Sequence, residues 1–179
     1  MSEKVILNSE DIDRIISDLS KEICNDIKDF DHFAIVGIQT RGVELTGRIK
    51  NKLEELSGKT IQSGMLDITF YRDDIATRGV LPIIKETRID FDITKMVILL
   101  VDDVIFSGRT IKAALETLMS FGRPSAIKLF ALVDRGNRDL PIQPDYCGHK
   151  VDTDVDDNIN VLLKEIDDVS DSIVLIREE

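Results

Sequence analysis

Apolar residues near the N-terminus recur three and four positions apart, the spacing that places them on one face of a helix. Ser9 and the acids Glu10 and Asp11 stand at the start of this pattern, where helices favour a capping side chain and negative charge. The pattern predicts a helix from residue 9 to about residue 29, with one apolar stripe formed by Ile12, Ile15, Ile16, Leu19, Ile23 and Ile27.

Strands and helices alternate along most of the remaining chain. Short apolar runs and helical periodicity predict, in order, a strand at 33–37, a helix at 43–56, a strand within 60–70, a strand at 97–101, a helix at 109–121 and a strand at 126–133. Three short alternating segments follow near 149–151, 159–163 and 173–177. Such alternation indicates right-handed crossovers and an α/β protein with a mainly parallel sheet flanked by helices. Ligands of such sheets bind beyond the carboxyl ends of the strands.

Residues 71–95 interrupt this alternation with a long polar stretch that contains Gly79, Pro82 and many charges. Loops of this length without regular structure are uncommon in compact domains and are often lids over a site. We therefore expect a flexible β-arm lid here. The lid and the apolar stripe of the first helix both need a covering surface, which predicts an assembly of several chains.

The chain has 179 residues, the length of one domain, which we assign to 1–179. Its 42% hydrophobic and 32% charged residues are typical of a soluble globular protein. No apolar run reaches about 18 residues and the first residues lack a basic-then-apolar layout, so we expect neither a membrane span nor a signal peptide. Cys24 and Cys147 form no CxxC motif, which is typical of reduced thiols in a cytoplasmic protein.

The chain is acidic, with 34 Asp and Glu residues, 23 Lys and Arg residues and a net charge of −11. Residues 145–179 hold 11 of the acids and only 3 of the bases. Long-range attraction to nucleic acid or to an anionic membrane is therefore not the default expectation.

The clearest chemical motif is the segment 97–110, which reads VILLVDDVIFSGRT. Its adjacent acids, Asp102 and Asp103, follow five apolar residues. Because burying an unpaired carboxylate is expensive, we expect the strand to end near Val101 and both carboxylates to enter the crevice beyond it. Two carboxylates can accept hydrogen bonds from sugar hydroxyls and can hold Mg²⁺ directly or through water.

Residues with phosphate-binding chemistry follow the two acids. Gly108 allows a tight turn, Ser107 and Thr110 supply hydroxyls, and the next helix points its amides at the crevice. A ligand with a phosphate at one end and hydroxyls or a metal at the other fits both halves of the motif. The alternative is an acidic turn followed by an ordinary Ser/Thr helix cap. Neither a Walker A loop nor a G-x-G-x-x-G fingerprint is present.

The segment 97–110 resembles the phosphoribosyl-pyrophosphate (PRPP) motif of type I phosphoribosyltransferases. Three further strings resemble the pyrimidine-operon attenuator (PyrR) family in the same order: VGIQTRG at 36–42, LDITFYRDD at 66–74 and LVDRGNRDLPI at 132–142. The likeness extends from about Leu7 to Ile176. It implies a uracil phosphoribosyltransferase that makes UMP and pyrophosphate from uracil and PRPP with Mg²⁺. It also implies a homodimer or homotetramer and, in many members, binding to pyrimidine-operon mRNA.

The resemblance also implies roles for individual residues. Asp103, Arg41 and Arg72 would be catalytic, with Asp103 assisting as a general base and the arginines stabilising the leaving pyrophosphate. Asp102 and Asp103 would hold Mg²⁺ and the ribose hydroxyls. The full set of PRPP and UMP contacts would be Thr40, Arg41, Gly42, Asp102, Asp103, Ile105, Phe106, Ser107, Gly108, Arg109 and Thr110. A small hood, formed largely by 134–160 with the termini, would cover the uracil with Val133, Asp134, Arg135 and Arg138.

Two departures from the family pattern carry consequences. Asn137 stands where the family usually has histidine, and the stretch 143–157 is acidic where RNA-binding members are basic. Because phosphate contacts need positive or donor groups, we expect RNA binding to be weak or absent.

Two alternative functions stay open from the sequence. One is a nucleotide-sensing RNA-binding attenuator with little catalysis, and the other is a phosphoribosyltransferase for a purine base.

Overall fold

A computed structural model describes residues 2–68 and 86–177 of the chain. Its elements are, in order, β1 (Ser2–Asn8), α1 (Ser9–Asp26), a 3-10 turn (Phe30–His32), β2 (Phe33–Ile38), α2 (Arg41–Ser57), β3 (Gln62–Leu66), β4 (Val97–Ile105), α3 (Arg109–Met119), β5 (Ala126–Asp134), β6 (Tyr146–Lys150), β7 (Asn158–Leu162), α4 (Lys164–Asp167) and β8 (Ser172–Arg177). Across the described ranges, no helix is long and apolar enough to cross a membrane.

Five strands form the main sheet in the order β3-β2-β4-β5-β6, and all of its pairings are parallel. The predicted α/β architecture with a mainly parallel sheet is therefore confirmed. Strand β6 lies at one edge, where Tyr146 pairs with Phe130. Residues 146–150, which the sequence analysis placed in the hood, thus belong to the main sheet.

A second, antiparallel sheet of order β1-β8-β7 joins the two ends of the chain. Strand β1 was not predicted from the sequence, because Leu7 is its only fully buried residue and gives no alternating pattern. Asn8 then caps α1. Its side-chain oxygen accepts a hydrogen bond from the Asp11 amide at 3.0 Å, and the Asp11 carboxylate accepts one from the Asn8 amide. This reciprocal cap sets the sharp change from strand to helix.

The apolar core lies on both faces of the main sheet. Because side chains alternate along a strand, Leu99 and Val101 of β4 pack on one face and Ile98 and Leu100 on the other. The first face holds α1, α2 and the small sheet, and the second holds α3. The apolar stripe of α1 packs against the first cluster, so the fold of the single chain covers most of it.

Strand β4 extends to Ile105, four residues beyond the predicted end at Val101. Strand β5 supports this extension, because Asp102 pairs with Ala131 and Ile105 pairs with Asp134, whereas pairing with β2 stops at Val101. Within this extension Asp102 is only 5% exposed, whereas Asp103 is half-buried. A backbone hydrogen bond to each carboxylate offsets part of the burial penalty.

Ion pairs fasten the segment around α4 to helix α2. Arg48 contacts Glu165, with Nη2 at 2.6 Å from Oε2, and its Nη1 contacts the buried carboxylate of Asp171. The other Asp171 oxygen accepts a hydrogen bond from the Lys164 amide at 2.8 Å. Burial by itself raises the pKa of Asp171, but the bonds from Arg48 and Lys164 outweigh it and leave the pKa lowered. The bond from Arg48 also lowers the pKa of Glu165.

We expect Arg48→Gln to lower the free energy of unfolding by about 3 kcal/mol at pH 7, because it leaves the buried Asp171 carboxylate without its positively charged partner. Both acids have folded-state pKa values below their ordinary values of 3.8 and 4.5. Their stabilisation is therefore complete above those values and disappears as the pH falls through the folded pKa values. Urea unfolding at several pH values measures the effect. The difference between the two proteins should shrink below about pH 4, and a difference independent of pH would contradict the assignment.

Candidate active site

Three segments that carry the predicted site residues meet at one edge of the main sheet. The first follows β2, the second runs from the last residues of β4 into α3, and the third begins at the last residue of β5. These strands are neighbours in the sheet and run in the same direction, so the three segments lie at the same edge, as expected for a ligand crevice in an α/β protein. The segments are residues 39–42, 102–110 and 134–142.

Asp102 and Asp103 are held by the backbone beside them. One Asp102 oxygen accepts the Asp103 amide at 3.0 Å, and one Asp103 oxygen accepts the Val104 amide at 2.9 Å. Asp103 is less buried than Asp102. These bonds restrict the rotamers, so each carboxylate is presented in a set orientation before any ligand binds.

The loop at 106–108 turns the chain from β4 into α3. Gly108 has a φ of 90°, a left-handed conformation that glycine adopts without strain, and it precedes the first residue of the helix. Ser107 Oγ accepts a hydrogen bond from the Arg109 amide at 3.3 Å. The first turn of α3, which includes Thr110, carries no acidic residue to neutralise the helix N-terminus. This end of α3 therefore has the charge and the donors that an anion needs.

Arg138 holds this loop through hydrogen bonds to backbone carbonyls. Its Nη1 donates to the Phe106 carbonyl at 2.9 Å, its Nε donates to the Ile142 carbonyl at 2.8 Å, and its Nη2 pairs with the Asp134 carboxylate at 2.8 Å. Only 12% of the side chain is exposed. The structure thus places Arg138 and Asp134 beside the loop at 106–108, where they hold its backbone in position.

Arg135 joins the loop to the segment after β6. Its guanidinium carbon lies 4.1 Å from the centre of the Phe106 ring, a cation–π contact. Its Nε donates to Thr153 Oγ1 at 3.2 Å, and its Nη2 donates to the carbonyls of Asp154 and Val155. Burial lowers the pKa of Arg135 from its ordinary value, although the charge of Asp157 opposes this shift.

Asn137 occupies the position at which the family pattern has histidine. It has a φ of 54°, and its side-chain amide donates to the Thr153 carbonyl at 2.8 Å. Thr153 is therefore bonded by both Arg135 and Asn137. An amide can make this contact at any ordinary pH, because it does not titrate.

Two glycines allow the 39–42 segment to pack against β4. A Cβ on Gly42 would lie 2.4 Å from the Val101 carbonyl oxygen, and a Cβ on Gly37 would lie 2.5 Å from the Gly42 oxygen. The Gln39–Thr40 peptide bond is cis. The close approach places the start of α2, with Thr40 and Arg41, next to Val101 and Asp102 of β4.

Arg41 makes a contact that the sequence did not predict. Its Nη2 lies 2.8 Å from Oδ1 of Asp167 in α4, and the side chains are 28% and 17% exposed, respectively. The two residues are 126 positions apart, and α4 has only four residues, so no periodic pattern marks Asp167 as a site residue.

Other predicted site residues lie outside this crevice or outside the described ranges. The side chains of Ile105 and Val133 are buried in the two core clusters, so only their backbone can reach a ligand. Arg72 and most of the predicted lid at 71–95 lie outside the described residues. In the described part of the lid, Arg88 pairs with Met65 through two backbone hydrogen bonds.

Known proteins resemble this chain over nearly its whole length. The family profile described as "Phosphoribosyl transferase domain" matches residues 2–165. The protein named "Bifunctional protein PyrR" from Caldicellulosiruptor bescii is 44% identical over 175 residues, covering 98% of this chain and 95% of that protein. The protein of the same name from Acetivibrio thermocellus is 46% identical over 165 residues, covering 92% and 90%.

Solved structures with lower sequence identity share the fold. A hypoxanthine phosphoribosyltransferase from Staphylococcus aureus has a TM-score of 0.72 at 20% identity, covering 97% of this chain and 92% of that one. The hypoxanthine phosphoribosyltransferase of Trypanosoma cruzi has a TM-score of 0.73 at 17% identity, covering 98% and 97%. Similarity at this level of identity concerns the arrangement of strands and helices alone.

Proposed function

Because the chain belongs to the PyrR family of phosphoribosyltransferases, we propose that it transfers the phosphoribosyl group of PRPP to uracil, forming UMP and pyrophosphate. The type I phosphoribosyltransferase fold predicted from the sequence is confirmed. The observation that carries the proposal is the placement of the Asp102–Asp103 pair directly before the loop and helix N-terminus at 106–110.

The proposed roles follow from what each group can bind. The amides and hydroxyls at 107–110 hold the 5′-phosphate, and the two carboxylates accept hydrogen bonds from the ribose hydroxyls. As the bond from the ribose C1 to the diphosphate oxygen breaks, positive charge develops on the sugar beside Asp102 and Asp103. Arg41 binds the departing diphosphate. Uracil N1 then bonds to C1, and its proton passes to a base, for which Asp103 is our candidate.

Mg²⁺ is part of the proposal. In the described ranges, no group of three or more His, Cys, Asp and Glu side chains could hold a metal ion. The chemistry of the Asp102–Asp103 pair nevertheless fits Mg²⁺, which uses one or two carboxylates and takes its other ligands from substrate phosphates and water. When bound, the ion supplies positive charge to the leaving diphosphate.

The direct test is UMP formation by purified protein from uracil, PRPP and Mg²⁺. We expect turnover of uracil, and no comparable turnover of hypoxanthine or guanine when the three bases compete in one assay. Preference for a purine would instead support the alternative base, although the purine enzymes named above share only the fold with this chain. Tight UMP binding without turnover of any base would contradict the enzymatic proposal and favour the attenuator.

RNA binding is a second part of the family's function, and the surface charge of this chain opposes it. On α1 the basic side chain of Arg14 pairs with Asp11, and that of Lys21 pairs with Asp18. The acidic stretch around 152–157 is largely exposed. We therefore propose weak or absent binding to the leader RNA. Filter binding in about 0.1 M salt tests this, and a low-nanomolar Kd would contradict it.

An oligomer in the cytoplasm, a homodimer or a homotetramer, is also part of the proposal. Its support is the family and a set of exposed large apolar side chains that includes Val5, Met119, Phe121 and Val155. Both cysteines are free thiols, as expected in a reducing compartment.

A further inference from the structure

We propose that Asp167 is a positioning residue for Arg41, holding the guanidinium in the orientation that receives the diphosphate. The inference rests on the proposed function for the role of Arg41. Asp167 lies in α4, between two strands of the small sheet, and comes near the 39–42 segment only in the folded chain. No motif of the sequence contains Asp167.

The Asp167 carboxylate is itself held in place. Its Oδ1 accepts a hydrogen bond from Nη2 of Arg41 at 2.8 Å, and its Oδ2 accepts one from the Leu163 amide at 2.8 Å. The Asp167 amide in turn donates to the Leu163 carbonyl at 2.8 Å. With both oxygens bonded and 17% of the side chain exposed, this carboxylate is a fixed anchor.

Arg41 needs such an anchor. It stands at the first position of α2, and its Nε is buried with no hydrogen-bond partner in the parts of the chain that the structure describes. A long arginine side chain loses much rotamer freedom when it is ordered, so a contact that orders it beforehand favours ligand binding. Asp167 takes one N–H of Nη2 out of the five that a guanidinium has, which leaves donors for phosphate oxygens.

The negative charge of Asp167 also opposes diphosphate binding, because it partly neutralises the positive charge of Arg41 that attracts the diphosphate. The geometry favours positioning over competition, since the contact uses a single nitrogen and the carboxylate is tied down by Leu163. A residue that merely competed for Arg41 would not need both oxygens fixed.

The chain offers a matched control on the same two helices, α2 and α4. Arg48 lies seven residues after Arg41, on the same face of α2 and about 10 Å further along the helix. Arg48 pairs with Glu165, which is also in α4. Glu165→Gln therefore weakens an ion pair between the same helices, but away from the end of α2 that faces the crevice.

The test measures binding of inorganic pyrophosphate with Mg²⁺ by calorimetry, together with KM for PRPP and kcat. In Asp167→Asn a single side-chain oxygen must serve two donors, so one of the two bonds is lost. We expect the Kd of pyrophosphate and the KM for PRPP to rise about fivefold to tenfold, with kcat changed less than threefold. Asp167→Ser should give the same result, and Glu165→Gln should stay within twofold of the unmodified protein.

A double-mutant cycle separates positioning from a general structural effect. In the Arg41→Ala background, Asp167→Asn should cause no further loss of pyrophosphate binding, because the group that it positions is gone. An equal loss in both backgrounds, or unchanged or tighter binding in Asp167→Asn and Asp167→Ser, would overturn the proposal. The pyrophosphate measurement does not require turnover, so a failure of the uracil assay and a failure of this inference are distinguishable.

Discussion

Replacing Asp102 and Asp103 together with asparagine is expected to lower kcat for UMP formation by about a thousandfold. In the proposed reaction the two carboxylates stabilise the sugar as it becomes electron-poor, and the double substitution removes both negative charges. Each side chain bonds a neighbouring amide through one oxygen, and asparagine can keep that bond. The fold should therefore survive while the charge is lost. Steady-state assays with uracil and PRPP measure the effect, and circular dichroism checks the fold.

A matched control removes two acids elsewhere. Asp13→Asn with Glu22→Gln makes the same change in net charge on the exposed face of α1, and it should leave kcat within twofold. If the Asp102 and Asp103 double variant retained more than about a tenth of the activity, the two carboxylates would not take part in catalysis and their role would be structural.

The second large effect is expected from Gly42→Ala. The added Cβ would lie 2.4 Å from the Val101 carbonyl oxygen, and this oxygen belongs to the central strand of the sheet. Because this strand is paired with a neighbour on each side, it cannot shift easily, and the loop that carries Thr40 and Arg41 must move away from it. A displacement of about 1 Å at reacting groups can lower the rate about a hundredfold, and we expect a loss of this size in kcat/KM for PRPP.

Gly47→Ala is the control, because it makes the same chemical change five residues further along α2. A Cβ on Gly47 would meet nothing within 4 Å, so alanine there should stabilise the helix by up to about 1 kcal/mol and leave activity unchanged. Equal activities of the two alanine variants in a PRPP titration would show that the close packing of Gly42 does not matter for function.

Most of the main sheet and the turn from β4 into α3 could be predicted because their determinants are local. Continuous apolar runs mark strands that are buried on both faces, such as β2, in which all six residues are buried. The segment 97–110 contains the acids, the turn glycine and the helix start within fourteen residues. Parallel pairing then brings the ends of β2, β4 and β5 together.

Features that depend on distant pairing could not be predicted. Strand β4 continues through two acids because β5 offers it partners as far as Asp134, and nothing within the segment indicates this. Strand β1 has a single fully buried residue and is defined by its pairing with β8 at the other end of the chain. The contacts of Arg41 with Asp167 and of Arg135 with Thr153 likewise join elements that only the fold brings together.

A crystal structure of the protein with UMP bound tests the central claim most directly. We predict the phosphate at the amides of 107–110 and the ribose hydroxyls against Asp102 and Asp103. The base should then lie on the side of the segment that begins at Asp134. UMP bound elsewhere on the protein, with the 102–110 segment making no contact to it, would contradict the account.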